Sequence, residues 1–284
     1  MTTLVTGATG HIGRLVVDRL VEAGEDVRAL TRDPARAAFP AGVTVVRGDL
    51  TEPGTLAEAF HGVERLYLFP VPATAHAVVG LARRAGVRRV AVLSSGAVTG
   101  GADTDFHRLV ERAAEESGLE WTHVRAGEFA LNMLWLWGPL IRAERVVYDP
   151  FPDIGRYPTH EADIADVAAT VLLEDGHAGA AYDVTGPDPI GHRGQIQRIA
   201  AAIGEDIRLV VVEPEEARER YLRPGGLAAA NARFLLGLDD GDEPLTVLPY
   251  APPSEMGPPT AEAVTGRPGR SFTQWVHDHA DDFR

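Results

Sequence analysis

The stretch Thr6-Gly7-Ala8-Thr9-Gly10-His11-Ile12-Gly13 places three glycines, each three residues apart, between an apolar run and a helical pattern. In such a loop one glycine turns the chain, one lets the backbone approach a pyrophosphate, and one lets helix and strand pack closely. The N–H groups that open the following helix add hydrogen-bond donors and the positive end of the helix dipole. Because a strand, this loop and a helix follow in that order, the stretch predicts a dinucleotide-binding site rather than a ligand-free turn.

Short apolar runs alternate with helical patterns over the first 125 residues. The clearest helical pattern, Ile12–Ala23, carries its apolar residues on one face and is followed by Gly24, a plausible C-cap. Alternation of this kind predicts an α/β fold of the Rossmann type, a doubly wound parallel sheet with right-handed crossovers. The predicted strands are Thr3–Thr6, Val27–Leu30, Val43–Val46, Arg65–Phe69, Val90–Leu93 and Thr122–Arg125.

The pattern changes after residue 128, where an aromatic-rich segment begins. We expect a dinucleotide-binding domain over residues 1–185, with a substrate-facing insertion at about 128–158. Residues 186–284 then form a smaller mixed cap that binds substrate over the carboxyl ends of the strands, where ligands of such sheets bind. Further elements predicted here are strands at Arg145–Tyr148, Tyr182–Thr185 and Ile207–Val212, a helix at Glu161–Leu173, and a Pro-rich loop at Tyr250–Pro259.

The composition excludes several classes of function. The formal net charge of −14 argues against a nucleic-acid or anionic membrane surface. The absence of cysteine removes disulfides, thiolate metal sites and thiol catalysis, and no metal site is expected. All 27 basic residues are arginine, so a Schiff base or a Walker P-loop is impossible. The longest apolar run, Phe129–Ile141, is too short for a membrane helix, and because Asp18, Arg19 and Glu22 interrupt the apolar N-terminus we expect no signal peptide. We therefore expect a cytoplasmic protein, monomeric or homodimeric.

The glycine loop also carries a family resemblance. The stretch from Thr6 to Gly13 resembles the fingerprint of the extended and atypical short-chain dehydrogenase/reductases, in particular the NmrA-like branch. Other stretches that are similar to this branch are Gly48-Asp49-Leu50, Ser94-Ser95-Gly96, Trp121–Gly127 with Asn132, and Asp163–Ala168. The resemblance covers roughly residues 1–185 and implies an oxidoreductase that uses a nicotinamide dinucleotide. It implies that Asp49 and Leu50 flank the adenine, although Asp49 is also explained as a turn or capping residue.

The end of the second predicted strand indicates which dinucleotide is bound. NAD-dependent enzymes present an acidic residue to the ribose 2′-hydroxyl at this place, whereas this chain has Thr31-Arg32. A guanidinium matches a 2′-phosphate and can stack on adenine, which favours NADP(H). The rival acid, Asp33, precedes Pro34 and is expected to cap a helix instead. The predicted cofactor contacts are Gly7, Thr9, Gly10, His11, Ile12, Gly13, Thr31, Arg32, Asp49, Leu50, Ser94 and Arg125.

The catalytic set typical of the resembled family is missing. That set is a serine and a Tyr-x-x-x-Lys pair on a helix, which corresponds here to Asp103–Glu111, with Asp103 in place of the tyrosine and His107 in place of the lysine. Gly96 occupies the place of the serine. Hydride transfer mainly needs an aligned nicotinamide and carbonyl, so the chain either reduces without this pair or does not catalyse. If it reduces, the proton comes from water or from a hydroxyl of the substrate.

Two polar side chains are candidate catalytic residues. Ser95 ends the fifth predicted strand and could donate a hydrogen bond to a carbonyl, although a capping role explains it equally well. His107 could contact the nicotinamide ribose in the place of lysine, or it could simply be an exposed helical residue. The predicted substrate contacts are Phe129, Asn132, Met133, Trp135 and Tyr157, as the wall of an apolar cavity for a flat aromatic ligand, unless this segment is ordinary core.

The sequence is therefore compatible with three functions. The first is an NADPH-dependent ketoreductase of an aromatic polyketide such as an angucyclinone, because the chain resembles atypical ketoreductases that lack the Ser-Tyr-Lys set. Its composition, rich in Ala, Arg, Gly and Pro and free of lysine, is typical of a GC-rich genome. The second is an NAD(P)H quinone oxidoreductase, and the third is a non-catalytic regulator that senses NADP(H).

Overall fold

The computed structural model of the 284-residue chain describes residues 1–223, 225, 229, 236 and 260–284. The Pro-rich loop predicted at Tyr250–Pro259 lies outside these residues. The strands are β1 Thr2–Val5, β2 Asp26–Thr31, β3 Thr44–Arg47, β4 Arg65–Leu68, β5 Arg89–Ser95, β6 Glu120–Ala126, β7 Val146–Asp149, β8 Gly155–Arg156, β9 Ala180–Val184, β10 Ile190–Gly191 and β11 Arg208–Val211.

The helices of the described residues are α1 His11–Glu22, α2 Ala75–Arg84, α3 Gly96–Thr99, α4 His107–Glu115, α5 Asn132–Leu136, α6 Gly138–Glu144, α7 Glu161–Leu173, α8 His192–Ile203, α9 Pro214–Leu222, α10 Thr260–Thr265 and α11 Phe272–Asp278. Short 3-10 turns lie at Pro34–Arg36, Pro53–Thr55, Pro72–Thr74 and Ala280–Phe283. Within these ranges, no helix combines the length and the apolar composition that crossing a membrane requires.

Seven of the strands form one sheet in the order β3-β2-β1-β4-β5-β6-β9, and every neighbouring pair is parallel. The order reverses between β1 and β4, because the chain first moves outward through β2 and β3 and then returns to the other side of β1. The predicted doubly wound Rossmann fold is confirmed. In such sheets the ligand crevice opens at the carboxyl ends of the strands on either side of the reversal.

The chain divides into two compact units. Unit 1 comprises Met1–Gly127, Glu161–Val184 and Thr260–Arg267 and contains the seven-stranded sheet. Unit 2 comprises Glu128–His160, the described part of residues 185–259, and Pro268–Arg284. The segment predicted as an insertion, about 128–158, thus groups with the later part of the chain rather than with the sheet.

Unit 1 has helices on both faces of its sheet, with α1 and α7 packed together on one face and α2 and α4 on the other. Alternate strand residues face the second pair, since Leu4, Leu66 and Val90 share an apolar cluster with Val79 of α2 and Val110 of α4. The predicted helix at residues 161–173 is confirmed as α7. Its residues 161–169 are all buried, including carboxylates.

One buried carboxylate joins the two helices of the first face. Asp166 of α7 is 4% exposed and accepts a hydrogen bond from Arg19 Nε of α1 at 2.6 Å. Arg267 lies 3.4 Å from the other oxygen of Asp166. The stretch Asp163–Ala168, which carried part of the family resemblance, therefore serves the packing of α7 on α1.

Unit 2 has a separate core formed by α5, α6, α8 and α11. Its two small sheets are the parallel pair β7 and β11 and the antiparallel pair β8 and β10. The strands predicted at Arg145–Tyr148 and Ile207–Val212 are confirmed as β7 and β11. A buried polar pair lies in this unit, where Asp149 Oδ2 is 2.6 Å from His192 Nδ1.

Replacement of Asp166 tests the link between α1 and α7. Asp166→Asn keeps the size of the side chain but removes the charge that Arg19 faces, so we expect a loss of about 2 kcal/mol of unfolding free energy. Urea denaturation followed by circular dichroism measures this loss. The matched control is Glu22→Gln, because Glu22 also lies beside Arg19, at 3.4 Å, but is 66% exposed. The control should cost less than about 0.5 kcal/mol, and equal losses for the two variants would contradict the assignment.

Candidate functional site

The glycine loop after β1 is held in a tight turn. Gly7 has a φ of +60°, and its carbonyl accepts a hydrogen bond from Gly10 N at 2.9 Å. A Cβ added at Gly13 would lie 2.2 Å from that same carbonyl oxygen, so no side chain fits at this position. The absence of a side chain at Gly13 therefore allows α1 to pack directly on the loop, as the glycine spacing predicts.

The amino end of α1 is suited to bind an anion. Gly10 precedes the helix, no side chain caps this end, and its first turn carries no acidic residue. Thr9, Gly10 and His11 are exposed around it. The N–H groups and the positive end of the dipole therefore face the carboxyl edge of the sheet, and this cradle fits a pyrophosphate.

Phe69 is a residue of this cradle that the sequence reasoning missed. It follows β4, across the reversal in strand order, and its Cβ lies 3.0 Å from the position of a Cβ added at Gly7. Thr6 joins the two segments, since its Oγ1 donates to Tyr67 O at 2.9 Å and accepts from Phe69 N at 2.8 Å. The Phe69 side chain is 43% exposed although it is aromatic. It therefore borders the place where a dinucleotide bound to the loop would lie.

The end of β2 presents an arginine and not an acid. Asp33 Oδ1 accepts a hydrogen bond from Ala35 N at 3.2 Å and Pro34 begins a 3-10 turn, so the predicted capping role of Asp33 is confirmed. Thr31 is buried, and its Oγ1 accepts from Asp33 N at 3.2 Å. Arg32 is exposed. A guanidinium therefore takes the position at which an acid would select a free ribose 2′-hydroxyl.

Asp49 and Leu50 have structural roles of their own. Asp49 Oδ1 accepts hydrogen bonds from Thr51 N at 2.8 Å and from Thr51 Oγ1 at 2.7 Å, and these bonds hold the pKa of Asp49 below its ordinary value. Leu50 is 8% exposed and belongs to the apolar core of unit 1. Packing therefore accounts for the Leu50 side chain, whereas Asp49 remains a predicted adenine contact in a half-buried turn.

Ser94 and Arg125 both donate hydrogen bonds to the buried carboxylate of Glu111. Ser94 is 1% exposed, and its hydroxyl donates to Glu111 Oε1 at 2.6 Å. Arg125 donates from Nε to Glu111 Oε1 and from Nη2 to Glu111 Oε2, both at 2.8 Å. These bonds give Ser94 and Arg125 a structural role inside the protein, and their contact with the cofactor stays a prediction.

This network continues on both sides of Glu111. Arg125 Nη1 donates to Thr99 Oγ1 at 3.1 Å, and Thr99 in turn donates to Asp183 of β9 at 2.7 Å. Glu115 accepts two hydrogen bonds from Arg108 and lies 3.2 Å from His123 Nε2. Ligand atoms of Glu111, Glu115 and His123 lie within 4.8 Å of one another, a spacing that suits a metal ion. Guanidinium groups already neutralise both carboxylates, so an ion-pair network explains the cluster.

Ser95 and His107 are both at the carboxyl edge of unit 1. Ser95 Oγ accepts from Ala97 N at 3.2 Å and caps α3, so its O–H still has a hydrogen to donate. His107 begins α4, and its Nδ1 lies 2.6 Å from Asp103 Oδ2. The helix expected over residues 103–111 therefore starts four residues late. Asp103 precedes it and caps its first N–H groups.

Two of the five predicted substrate residues are buried in unit 2, and the other three are partly exposed. Met133 is 0% exposed and Asn132 is 5% exposed, so the prediction that Met133 lines an accessible cavity is wrong, and Asn132 offers almost no surface. Phe129 and Trp135 are partly buried against the same core. Tyr157 is half-buried, and its carbonyl accepts a hydrogen bond from Gly186 N at 3.3 Å. Core packing thus explains much of the aromatic-rich segment.

A family model described as NAD(P)H-binding matches residues 7–175 of the chain. The chain belongs to this NAD(P)H-binding family. It is 34% identical to the (4-alkanoyl-5-oxo-2,5-dihydrofuran-3-yl)methyl phosphate reductase of Streptomyces griseus subsp. griseus, over 99% of this chain and 98% of that protein. It is also 34% identical to the NAD(P)H azoreductase of Xenophilus azovorans, again over 99% and 98%.

A solved structure agrees with the family assignment. The NADPH-dependent quinone oxidoreductase of Escherichia coli, crystallised with NADPH, aligns with a TM-score of 0.77 and 25% identity over 98% of this chain and 99% of that chain. The predicted family resemblance, the predicted cofactor and the predicted enzyme class are confirmed at this level. The protein is an NAD(P)H-dependent oxidoreductase, which removes the alternative of a non-catalytic sensor.

The pH dependence of stability tests the role of Glu111. Burial raises the pKa of Glu111, but hydrogen bonds from Arg125 and Ser94 outweigh it and hold the pKa below its ordinary value of 4.5. A depressed folded-state pKa contributes stability that is fully present above the unfolded value and is lost as the pH falls through the folded value. Glu111→Gln should therefore cost about 2–4 kcal/mol at neutral pH, and the difference from wild type should shrink below about pH 4.5.

Urea unfolding at a series of pH values measures this difference. The matched control is Glu115→Gln, one turn further along α4, where the carboxylate is 27% exposed. We expect a smaller loss there, because water partly replaces the missing charge. A neutral-pH stability of Glu111→Gln equal to that of wild type would contradict the assigned role.

Proposed function

We propose that the protein is an NADPH-dependent reductase of electron-poor conjugated acceptors, with quinones as the first substrate class. The observation that carries this proposal is the cradle of unit 1. The uncapped amino end of α1, the turn at Gly7 and the exposed Arg32 after β2 all lie at the carboxyl edge of the sheet. This cradle matches a dinucleotide that carries an extra phosphate.

The absence of a Tyr-x-x-x-Lys pair supports an activated acceptor. The chain has no lysine at all, and Asp103 stands where the tyrosine is expected. An isolated ketone gains much from a strong acid at its oxygen, whereas a conjugated acceptor spreads the developing negative charge over its own π system. A reductase without the tyrosine is therefore best matched to acceptors that need little help from the protein.

The names of the relatives point to the same chemistry. A quinone, an azo group and an alkanoyl-substituted oxo-dihydrofuran each contain an electron-poor double bond that can accept a hydride. A ketone on an aromatic polyketide such as an angucyclinone is a further member of this class, since its ring system is conjugated. We retain it as the second substrate candidate.

Residues of unit 1 bind the cofactor and donate a hydrogen bond to the substrate in this proposal. The glycine loop with the amino end of α1 would hold the pyrophosphate of NADPH, which would supply a hydride when bound. Arg32 pairs with the 2′-phosphate. Ser95 can donate its O–H to the substrate oxygen. The proton that completes the reduction originates from water or from a hydroxyl of the substrate.

Three side chains of unit 2 offer apolar surface for contact with a flat aromatic ring. We assign this role to Phe129, Trp135 and Tyr157, because each side chain keeps part of its surface outside the core. Flat aromatic rings gain from stacking on such side chains.

Turnover with a panel of acceptors tests the proposed function. We expect steady-state NADPH oxidation with benzoquinones and naphthoquinones, weaker oxidation with conjugated aryl ketones, and none with isolated aliphatic ketones. In an alanine scan of polar residues of unit 1, no single change should cost more than about 10⁴-fold, the upper range for a general acid. NADPH binding without oxidation of any acceptor would overturn the proposal.

A charge reversal at Arg32 tests the choice of cofactor. Arg32→Glu replaces the proposed partner of the 2′-phosphate with a repelling charge, so KM for NADPH should rise about 10–100-fold while KM for NADH changes little. Arg84→Glu is the matched control, because it makes the same charge change on an exposed residue of α2. Similar shifts for both cofactors, or for both variants, would show that Arg32 does not select the phosphate.

A further inference from the structure

Asp103 and His107 form an Asp–His pair at the amino end of α4, and the reaction proposed above assigns no role to this pair. We propose that His107 is the residue that hands the proton to the reduced oxygen of the substrate, and that Asp103 is the positioning residue that orients its ring. This inference rests on the proposed function and identifies the protein group through which the proton from water travels.

The contacts of α4 locate His107 at the carboxyl edge of the sheet. Glu111 pairs with Arg125 of β6, and Glu115, one turn later, lies beside His123 of the same strand. Four residues of a helix and two residues of a strand each span about 6 Å. A step of four residues toward the end of α4 therefore matches a step of two residues toward the start of β6. His107 precedes Glu111 by four residues, so it lies about 6 Å beyond Arg125, at the level where β6 ends.

That edge is also where the other functional groups of unit 1 lie. All seven strands of the sheet are parallel, so the glycine loop after β1 and Ser95 at the end of β5 face the same edge. Ser95 is in register with Ala126, the last residue of β6. His107 is therefore placed where the ligand crevice of such a sheet opens.

Asp103 fixes the orientation of the His107 ring. Its Oδ2 lies 2.6 Å from His107 Nδ1, and its Oδ1 accepts from Phe106 N at 3.1 Å and from His107 N at 3.0 Å. Burial raises the pKa of Asp103, but the hydrogen bonds from the His107 ring and these two N–H groups hold it below its ordinary value. The carboxylate therefore stays charged and cannot rotate away from the ring.

This arrangement directs the other ring nitrogen to the substrate. With Nδ1 bonded to Asp103, Nε2 is the atom at which His107 exchanges a proton, and no hydrogen bond to Nε2 is found among the described residues. The His107 side chain is 24% exposed, and the Phe106 ring contacts its ring edge-on with centroids 4.8 Å apart. The ring is thus held on two sides and still accessible.

The buried ion pair below keeps this turn in place. Glu111 joins α4 to β5 through Ser94 and to β6 through Arg125, so the helix cannot slide along the sheet without breaking these bonds. A group that transfers a proton must be held within a fraction of an ångström of its productive position. The network therefore gives His107 a rigid support on two strands.

In the proposed step, proton transfer from His107 accompanies hydride transfer to the acceptor. A hydride, with its two electrons, adds to the acceptor, and the π electrons of the carbonyl move to oxygen. The oxygen takes the proton from Nε2 of the His107 imidazolium, whose positive charge faces Asp103. The ring is left neutral and regains a proton from water. The hydrogen on the ring carbon then leaves to water as a proton, and the second carbonyl oxygen takes a proton from water, which restores the aromatic ring. In sum, a quinone, NADPH and one proton give a hydroquinone and NADP⁺.

His107→Asn is the first test, because the asparagine amide can keep the hydrogen bond to Asp103 but cannot transfer a proton. With a naphthoquinone, kcat should fall about 10²-fold, while KM and Kd for NADPH should change less than about threefold. His76→Asn, at a 65% exposed histidine of α2, is the matched control and should keep wild-type kinetics. A kcat of His107→Asn within threefold of wild type would overturn this inference and leave the proposed function intact.

Chemical rescue separates proton transfer from a purely structural role. In His107→Gly, added imidazole should raise kcat at least tenfold with saturation, because the free base can occupy the space of the missing ring. A folded His107→Gly variant, checked by circular dichroism, that loses activity and gains nothing from imidazole would overturn the assignment.

Asp103→Asn tests the positioning role. Asparagine remains a good helix cap but lacks the charge that faces the imidazolium, so kcat should fall about tenfold with KM for NADPH and thermal stability unchanged. Asp105→Asn, at an exposed residue of the same loop, is the matched control. Equal kcat values for the two variants would remove Asp103 from the proposal.

A spectroscopic measurement adds a result that does not depend on turnover. In protein labelled with ¹⁵N-histidine and saturated with NADP⁺, a hydroquinone product should shift the Nε2 resonance of His107 and leave that of His76 in place. An unchanged His107 resonance under saturating hydroquinone would overturn the contact. Failure of the wild type to oxidise NADPH with any acceptor would instead overturn the proposed function itself.

Discussion

The direct approach of α1 to the loop after β1 is the constraint on which the cofactor site depends. A Cβ at Gly13 would stand 2.2 Å from the Gly7 carbonyl, so the helix reaches this position only without a side chain there. That approach brings the amino end of α1 to the edge of the sheet, where its N–H groups face outward. It also leaves Phe69 beside Gly7, which completes the border of the cradle. Binding of an anion then follows from backbone geometry alone and needs no lysine.

A second constraint is the charged layer between α4 and the sheet. Helix α4 packs on the sheet through apolar residues such as Val110 and Ala113, but in its middle Glu111 adds a carboxylate with no exposed surface. Removing the Glu111 charge from water costs free energy, and the hydrogen bonds from the Arg125 guanidinium and the Ser94 hydroxyl offset that cost. Such an arrangement gives up stability relative to an apolar core, and in return it fixes the register of the helix. The register determines which residue of α4 stands at the carboxyl edge.

Much of the fold could be predicted because its signals are local. Short apolar runs mark β1 to β6, and the glycine spacing marks the turn into α1. The start of α4 could not be predicted in the same way, because Asp103, Thr104 and Asp105 are all residue types that can precede a helix. The structure selects Asp103 through hydrogen bonds to Phe106 and His107. Likewise, nothing in the sequence joins Glu111 to Ser94 and Arg125, which lie 17 and 14 residues away. The sequence did not show that Met133 is buried in the core, because an apolar run has the same pattern in a core as on the wall of a cavity.

The uncapped amino end of α1 has a consequence for the lifetime of the protein. A helix end that no side chain satisfies is a local weakness, and a ligand that binds there only in the folded state removes it. Such a ligand adds about 2.7 kcal/mol when it is present at a hundred times its dissociation constant. A dinucleotide bound at this end of α1 would therefore also protect the chain against proteolysis from its unfolded state.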